Sequence, residues 1–119
     1  MKTQENLVIA FGSRARGTAG ASSDFDVAVL FDHELSLAER SKLVQSLARK
    51  LGVSEEQVDL VDLRTASPLL QYRVTNEGRL LEGDQFDFLR FRVLAWKRYL
   101  DTAKFRRARE RALAEKYGQ

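Results

Sequence analysis

The 119-residue sequence contains no cysteine and a single histidine, His33. These absences exclude disulfide bonds, zinc sites built on thiolates and metal sites built on several histidines. A metal ion would therefore have to be held by oxygen ligands, which suit Mg²⁺, Mn²⁺ or Ca²⁺. No apolar run approaches the roughly 20 residues of a membrane-spanning helix, and the first residues lack a secretory signal pattern. We therefore expect a cytoplasmic protein without membrane association.

The overall composition is that of a globular protein, with 44% hydrophobic and 31% charged residues. Its length corresponds to one domain. The net charge of +3 is unevenly distributed, because six basic and two acidic residues lie between Lys104 and Lys116. The interspersed Glu110 and Glu115 argue against direct nucleic-acid binding by this segment. They favour a solvated helix face or one that docks an acidic partner.

The hydrophobic pattern predicts a small α/β (α+β) domain. Apolar or alternating segments predict strands at 7–11, 24–31 and 57–63, and a short extended piece at 79–82. Capping residues predict a helical turn over 14–16 and helices at about 36–51, 67–76 and 84–117. This order of elements predicts a mixed, mainly antiparallel sheet of about four strands.

Asp24 and Asp26 open the second predicted strand, two residues apart. Side chains at this spacing project from the same face of a strand, with Cα atoms about 6.5–7 Å apart. Such carboxylates repel each other unless a cation lies between them, and carboxylate oxygens suit a hard divalent ion. The third strand adds Asp59 and Asp62, either of which could reach the same place if the two strands are neighbours. Three carboxylates around one or two Mg²⁺ ions are suited to phosphoryl or nucleotidyl transfer.

Gly12 and Ser13 follow the first predicted strand and precede the acidic pair. Glycine lets the backbone approach a ligand closely, and amides at the start of a helical turn donate hydrogen bonds to anions. Arg14 and Arg16 add positive charge for a triphosphate. A phosphate-binding turn beside a metal site predicts a nucleotide site, although the segment has no Gly-Lys-Ser/Thr and is not a P-loop.

This arrangement resembles the nucleotidyltransferases of the DNA polymerase β superfamily, and most closely the minimal nucleotidyltransferases. The likeness is carried by Gly12, Ser13, Arg14, Arg16, Gly17, Thr18, Ser23, Asp24, Asp26, the VDLVDL strand and the segment SPLLQYRVTNEGRLLEGD. The resemblance implies one domain over 1–119, with a catalytic core at 1–83 and a C-terminal, partner-docking helix at 84–117. It also implies a sheet with its helices packed on one face.

The resemblance also implies roles for individual residues. Asp24, Asp26 and Asp59 would be catalytic and would bind Mg²⁺, as two ions, while the nucleotide would contact Gly12, Ser13, Arg14, Arg16 and Ser23. Asp59 is preferred over Asp62 because the family's third carboxylate lies within a strand, between hydrophobic residues such as Val58 and Leu60. His33 is expected in a loop and not as a catalytic base.

Minimal nucleotidyltransferases commonly occur as antitoxins beside a helical HEPN-domain ribonuclease toxin. The resemblance implies that this chain transfers AMP from ATP to a tyrosine of such a toxin and so neutralises it. Two alternatives stay open. The chain could be a non-catalytic antitoxin that covers its toxin with the C-terminal helix, or a nucleotidyltransferase for a small-molecule or RNA acceptor. The last is disfavoured because 119 residues leave little room for a domain that grips such an acceptor.

The last predicted helix has two sets of large apolar residues. A stripe at spacings of three and four, here called the Phe86–Leu100 stripe, is expected to face the core and contains Phe86, Leu89, Val93, Trp96 and Leu100. A second, aromatic set is expected on another face, where it would form a docking surface, and contains Phe88, Phe91 and Phe105.

Overall fold

The computed structural model describes residues 6–12 and 25–117. In this part of the chain one sheet has the strand order β3-β2-β1-β4. The strands are β1 (Leu7–Phe11), β2 (Phe25–Leu30), β3 (Val58–Asp62) and β4 (Arg79–Glu82). β1 is antiparallel to β2 and β4, whereas β2 and β3 are parallel. The predicted mixed, mainly antiparallel sheet is therefore confirmed.

Three helices accompany the sheet in the described residues: α1 (Leu37–Leu51), α2 (Pro68–Glu77) and α3 (Gln85–Tyr117). A capping box opens α1, since the Ser36 hydroxyl accepts the Glu39 amide and the Glu39 carboxylate accepts the Ser36 amide. A short 3-10 helix, Glu55–Gln57, leads into β3. None of these helices combines the length and apolar character needed to cross a membrane. The predicted turn at 14–16 lies outside the described residues.

The helices lie on both faces of the sheet, so the expectation that they pack on one face is wrong. Val8 faces α1 and packs in a core with Leu47, whereas Ile9 lies in a second core with Val74 of α2 and Phe91 of α3. Successive strand residues point to opposite faces. Because β1 and β2 are apolar at both alternating positions, both faces must be covered.

The apolar periodicity of α3 predicted that the Phe86–Leu100 stripe faces the sheet. In the structure the opposite face of the helix does so. Phe91 and Ala95 are buried, and Phe88 packs against the same core. Every member of the Phe86–Leu100 stripe is exposed, from 44% at Leu100 to 64% at Phe86. Phe105 is also exposed. The prediction failed because the helix carries two apolar faces, and periodicity does not tell which of them meets the sheet.

Candidate active site

Asp26 and Asp59 lie side by side on neighbouring strands. They are Cα partners in the parallel β2–β3 register, which sets their Cα atoms about 4.8 Å apart. Both side chains line one cavity of about 390 Å³, here called the Asp26–Asp59 cavity. Asp59 is exposed and Asp26 is half-buried. The structure therefore brings together two of the three predicted metal ligands.

Gly12 borders the same cavity at the end of β1, where its φ of +83° is in the left-handed region. A Cβ atom built on Gly12 would lie 2.2 Å from Asp26 Oδ2 and 3.0 Å from Asp26 Cγ. Any side chain here would therefore displace the Asp26 carboxylate. The absence of one lets the backbone of residue 12 approach whatever this carboxylate binds.

Asp62, the alternative third carboxylate, lies outside the Asp26–Asp59 cavity. Its side chain is buried, and its two oxygens accept the backbone amides of Leu35 and Arg64, each at 3.0 Å. Because Asp62 is three residues from Asp59, it points to the opposite face of β3. Its carboxylate thus joins the segment before α1 to the end of β3, and Asp59 alone of the two faces the cavity.

The remaining predicted site residues lie outside the described residues: Ser13, Arg14, Arg16, Ser23 and Asp24. Their roles stay predictions. Within residues 6–12 and 25–117, no three histidine, cysteine or acidic side chains converge as a metal site. The Asp26–Asp59 pair nevertheless fits Mg²⁺, because it offers carboxylate oxygens beside a backbone that no side chain shields.

Arg73 of α2 also lines the Asp26–Asp59 cavity, together with the apolar side chains of Phe11, Val61 and Leu70. Sequence reasoning missed Arg73, since it belongs to none of the acidic or glycine-serine motifs. The available signal was its position on the helix that follows the third acidic strand. The cavity thus combines two carboxylates, one guanidinium and an apolar wall.

His33 lies in the loop between β2 and α1, as expected, and its ring contacts two carboxylates. Nδ1 is 2.7 Å from Asp32 Oδ1, and Nε2 is 2.7 Å from Glu39 Oε2. Hydrogen bonds to Asp32 and then Glu39 raise the pKa of His33 above its ordinary 6.5. The hydrogen bond with His33 lowers the pKa of Asp32, and the Ser36 amide is the main cause of the lowered pKa of Glu39. These contacts favour the protonated form of His33 and connect the loop after β2 to the first turn of α1.

Comparison with known proteins places this chain in a family. The protein-family model described as "Polymerase beta, Nucleotidyltransferase" matches residues 2–86. The chain is 43% identical over 81 residues to the protein adenylyltransferase MntA of Shewanella oneidensis, covering 68% of this chain and 56% of that protein. It is 34% identical over 98 residues to the MntA of Aphanizomenon flos-aquae, covering 74% and 65% respectively. The chain thus spans less than two thirds of the length of these relatives.

Solved structures show the same relationship. A toxin–antitoxin crystal structure with AMP-PNP matches with a TM-score of 0.77 and 36% identity, over 94% of this chain and 88% of that one. A complex of a tri-AMPylated Shewanella oneidensis HEPN toxin with its MNT antitoxin matches with a TM-score of 0.70 and 33% identity, over 94% and 85%. The matched range contains the positions of Gly12, Asp26 and Asp59, which line one cavity. The chain therefore belongs to the polymerase β nucleotidyltransferase family, among the minimal nucleotidyltransferases.

Proposed function

We propose that this chain is a Mg²⁺-dependent protein adenylyltransferase that serves as the antitoxin of a HEPN ribonuclease toxin. The observation that carries this proposal is the pairing of Asp26 and Asp59 beside Gly12 in one cavity. The names of the two relatives and the AMPylated toxin in a similar complex support AMP as the transferred group and a HEPN toxin as the acceptor. The AMP-PNP in a similar structure supports ATP as the substrate.

In the proposed reaction, Asp26 and Asp59 would hold Mg²⁺ together with Asp24, and the backbone at Gly12 and Ser13 would bind the β- and γ-phosphates. Mg²⁺ bound there would neutralise phosphate charge and assist ionisation of the attacking hydroxyl. A tyrosine oxygen of the toxin forms a bond to the α-phosphorus, and the bond from that phosphorus to the β-phosphate oxygen breaks. Pyrophosphate leaves, and Asp59, which is exposed, would accept the hydroxyl proton. We expect the reaction to take place in the cytoplasm, where ATP and Mg²⁺ are abundant.

We assign toxin docking to the C-terminal helix, residues 84–117, through its exposed Phe86–Leu100 stripe. Leu89, Val93 and Trp96 of this stripe border a groove of about 280 Å³ against Tyr72 of α2. Tryptophan, tyrosine and arginine side chains are enriched at the centre of protein interfaces. The groove also contains Arg92.

Charge indicates what kind of surface the toxin would present to α3. The helix has ten basic and four acidic residues, a net charge of +6, although the whole chain carries only +3. A second copy of this helix would bring like charges together, which disfavours self-association along it. We therefore expect the toxin to offer an apolar helix face bordered by acidic residues.

The direct test incubates the chain and its purified HEPN toxin with Mg²⁺ and ATP labelled at the α-phosphate. We expect label on a toxin tyrosine with the wild-type chain, and at least about 100-fold less with Asp26→Asn. Glu56→Gln is the matched control, because Glu56 is an exposed carboxylate of the 3-10 helix and does not line the cavity. Absence of label with the wild type, together with full neutralisation by Asp26→Asn, would refute transfer and favour the non-catalytic antitoxin.

A further inference from the structure

Arg73 reaches the Asp26–Asp59 cavity from a firmly held helix. Ser67 caps α2, and Pro68 occupies its first turn. On the inner side of α2, Val74 is buried in the core and the Gln71 amide donates to the Leu63 carbonyl at 2.8 Å. The backbone that carries Arg73 is therefore fixed relative to β3, whose residues Asp59 and Val61 also line the cavity.

The guanidinium of Arg73 is accessible to a ligand. Its side chain is 59% exposed, and its Nε lies 3.8 Å from Oε2 of Glu77, one turn along the same helix. A single ion pair at this distance occupies little of a group with five N–H donors. Glu77 can therefore orient the guanidinium without saturating its donors.

We propose that Arg73 binds the triphosphate of the nucleotide in the Asp26–Asp59 cavity, an inference that rests on the proposed function. A bound triphosphate and the aspartates carry more negative charge than two divalent ions neutralise. Arg73, which lines the same cavity as the aspartates, supplies additional positive charge. Its planar fork matches two phosphate oxygens, whereas a neutral tyrosine hydroxyl offers only one acceptor. Arg73 also stabilises the charge that accumulates on the departing pyrophosphate.

The experiment measures binding of AMP-PNP and its displacement by inorganic tripolyphosphate, both with Mg²⁺. For Arg73→Ala we expect the Kd of AMP-PNP and the Ki of tripolyphosphate to rise together by about 10- to 100-fold, the loss of a charge-assisted hydrogen-bond pair. Arg73→Lys, which keeps the charge but loses the fork, is expected to give a smaller rise. The matched control is Arg90→Ala, because Arg90 is similarly exposed and paired within its helix, with Asp87 at 3.1 Å.

The possible outcomes distinguish failure of this inference from failure of the proposed function on which it rests. If Arg73→Ala leaves the Kd of AMP-PNP and the Ki of tripolyphosphate unchanged while the wild type binds AMP-PNP normally, the role of Arg73 is overturned and the proposed function stays intact. A rise for AMP-PNP without a rise for tripolyphosphate would also overturn it, because Arg73 would then act on the nucleoside. Failure of the wild type to bind AMP-PNP would instead refute the nucleotide site itself. Equal melting temperatures of the Arg73→Ala and Arg90→Ala variants would show that the difference in their Kd values reports nucleotide binding. A rise in Kd that is matched by a loss of folded protein would count against the inference.

Discussion

Replacing Gly12 by alanine should damage catalysis far more than stability. The new methyl group would lie 2.2 Å from Asp26 Oδ2, about 1 Å inside ordinary contact distance, so the carboxylate must move by about that amount. A displacement of about 1 Å in a catalytic constellation costs about 100-fold in rate. The left-handed backbone at Gly12 adds about 1–2 kcal/mol of strain for any residue with a Cβ.

Gly52→Ala provides the matched control for this prediction. Gly52 ends α1 with a φ of +73°, close to that of Gly12, but its Cβ position has nothing within 4 Å. Both variants should lose about 1–2 kcal/mol in urea unfolding. Only Gly12→Ala should lose about 100-fold in the rate of AMP transfer, measured under single-turnover conditions. Wild-type transfer by Gly12→Ala, or an equal loss in both variants, would refute the reasoning.

Three other perturbations test separate parts of the molecule. Asp62→Ala removes the acceptor of the buried Leu35 amide and of the partly buried Arg64 amide. The free energy of unfolding in urea should fall by about 1–3 kcal/mol, mainly through the Leu35 amide, and an unchanged value would contradict the bracing role. The raised pKa of His33 means that its ion pairs stabilise the fold fully below pH 6.5 and lose this effect as pH rises through the folded-state pKa. The melting-temperature advantage over His33→Gln should therefore shrink from about pH 5.5 to about pH 8, and a constant or growing advantage would show the sign to be wrong. Trp96→Asp should weaken toxin binding about 30-fold or more in calorimetry, whereas Leu113→Asp, at a similarly exposed position beyond the groove, should not; equal effects would remove the groove from the interface.

Local patterns predicted the individual elements well. The apolar run at 7–11, the Ser36–Glu39 capping box and the Ser67-Pro68 helix start each depend on neighbouring residues, and all three appear in the structure. Of the two candidates for the third carboxylate, Asp59 lines the Asp26–Asp59 cavity, whereas Asp62 lies on the opposite face of β3. The catalytic roles of these residues stay predictions.

What sequence could not provide was the placement of one element against another. α3 has an aromatic face and the Phe86–Leu100 stripe, and only the position of α2 and the sheet decides that Phe91 is buried and Trp96 is exposed. The second helical layer was missed for a similar reason, since apolarity on both sides of β1 does not say which helix covers which side. Arg73 escaped notice because its proximity to Asp26 exists only in three dimensions.

The parallel pairing of β2 and β3 also has a consequence for folding. Asp26 and Asp59 are separated by 33 positions, and they become neighbours only after α1 and the 3-10 helix have carried the chain across to β3. Such non-local strand pairing is the slow kind of contact to form. A one-residue slip of β3 would send Asp59 to the opposite face. The two carboxylates are thus brought together late in folding and only in the correct register. Metal binding during refolding would therefore report when β3 pairs with β2.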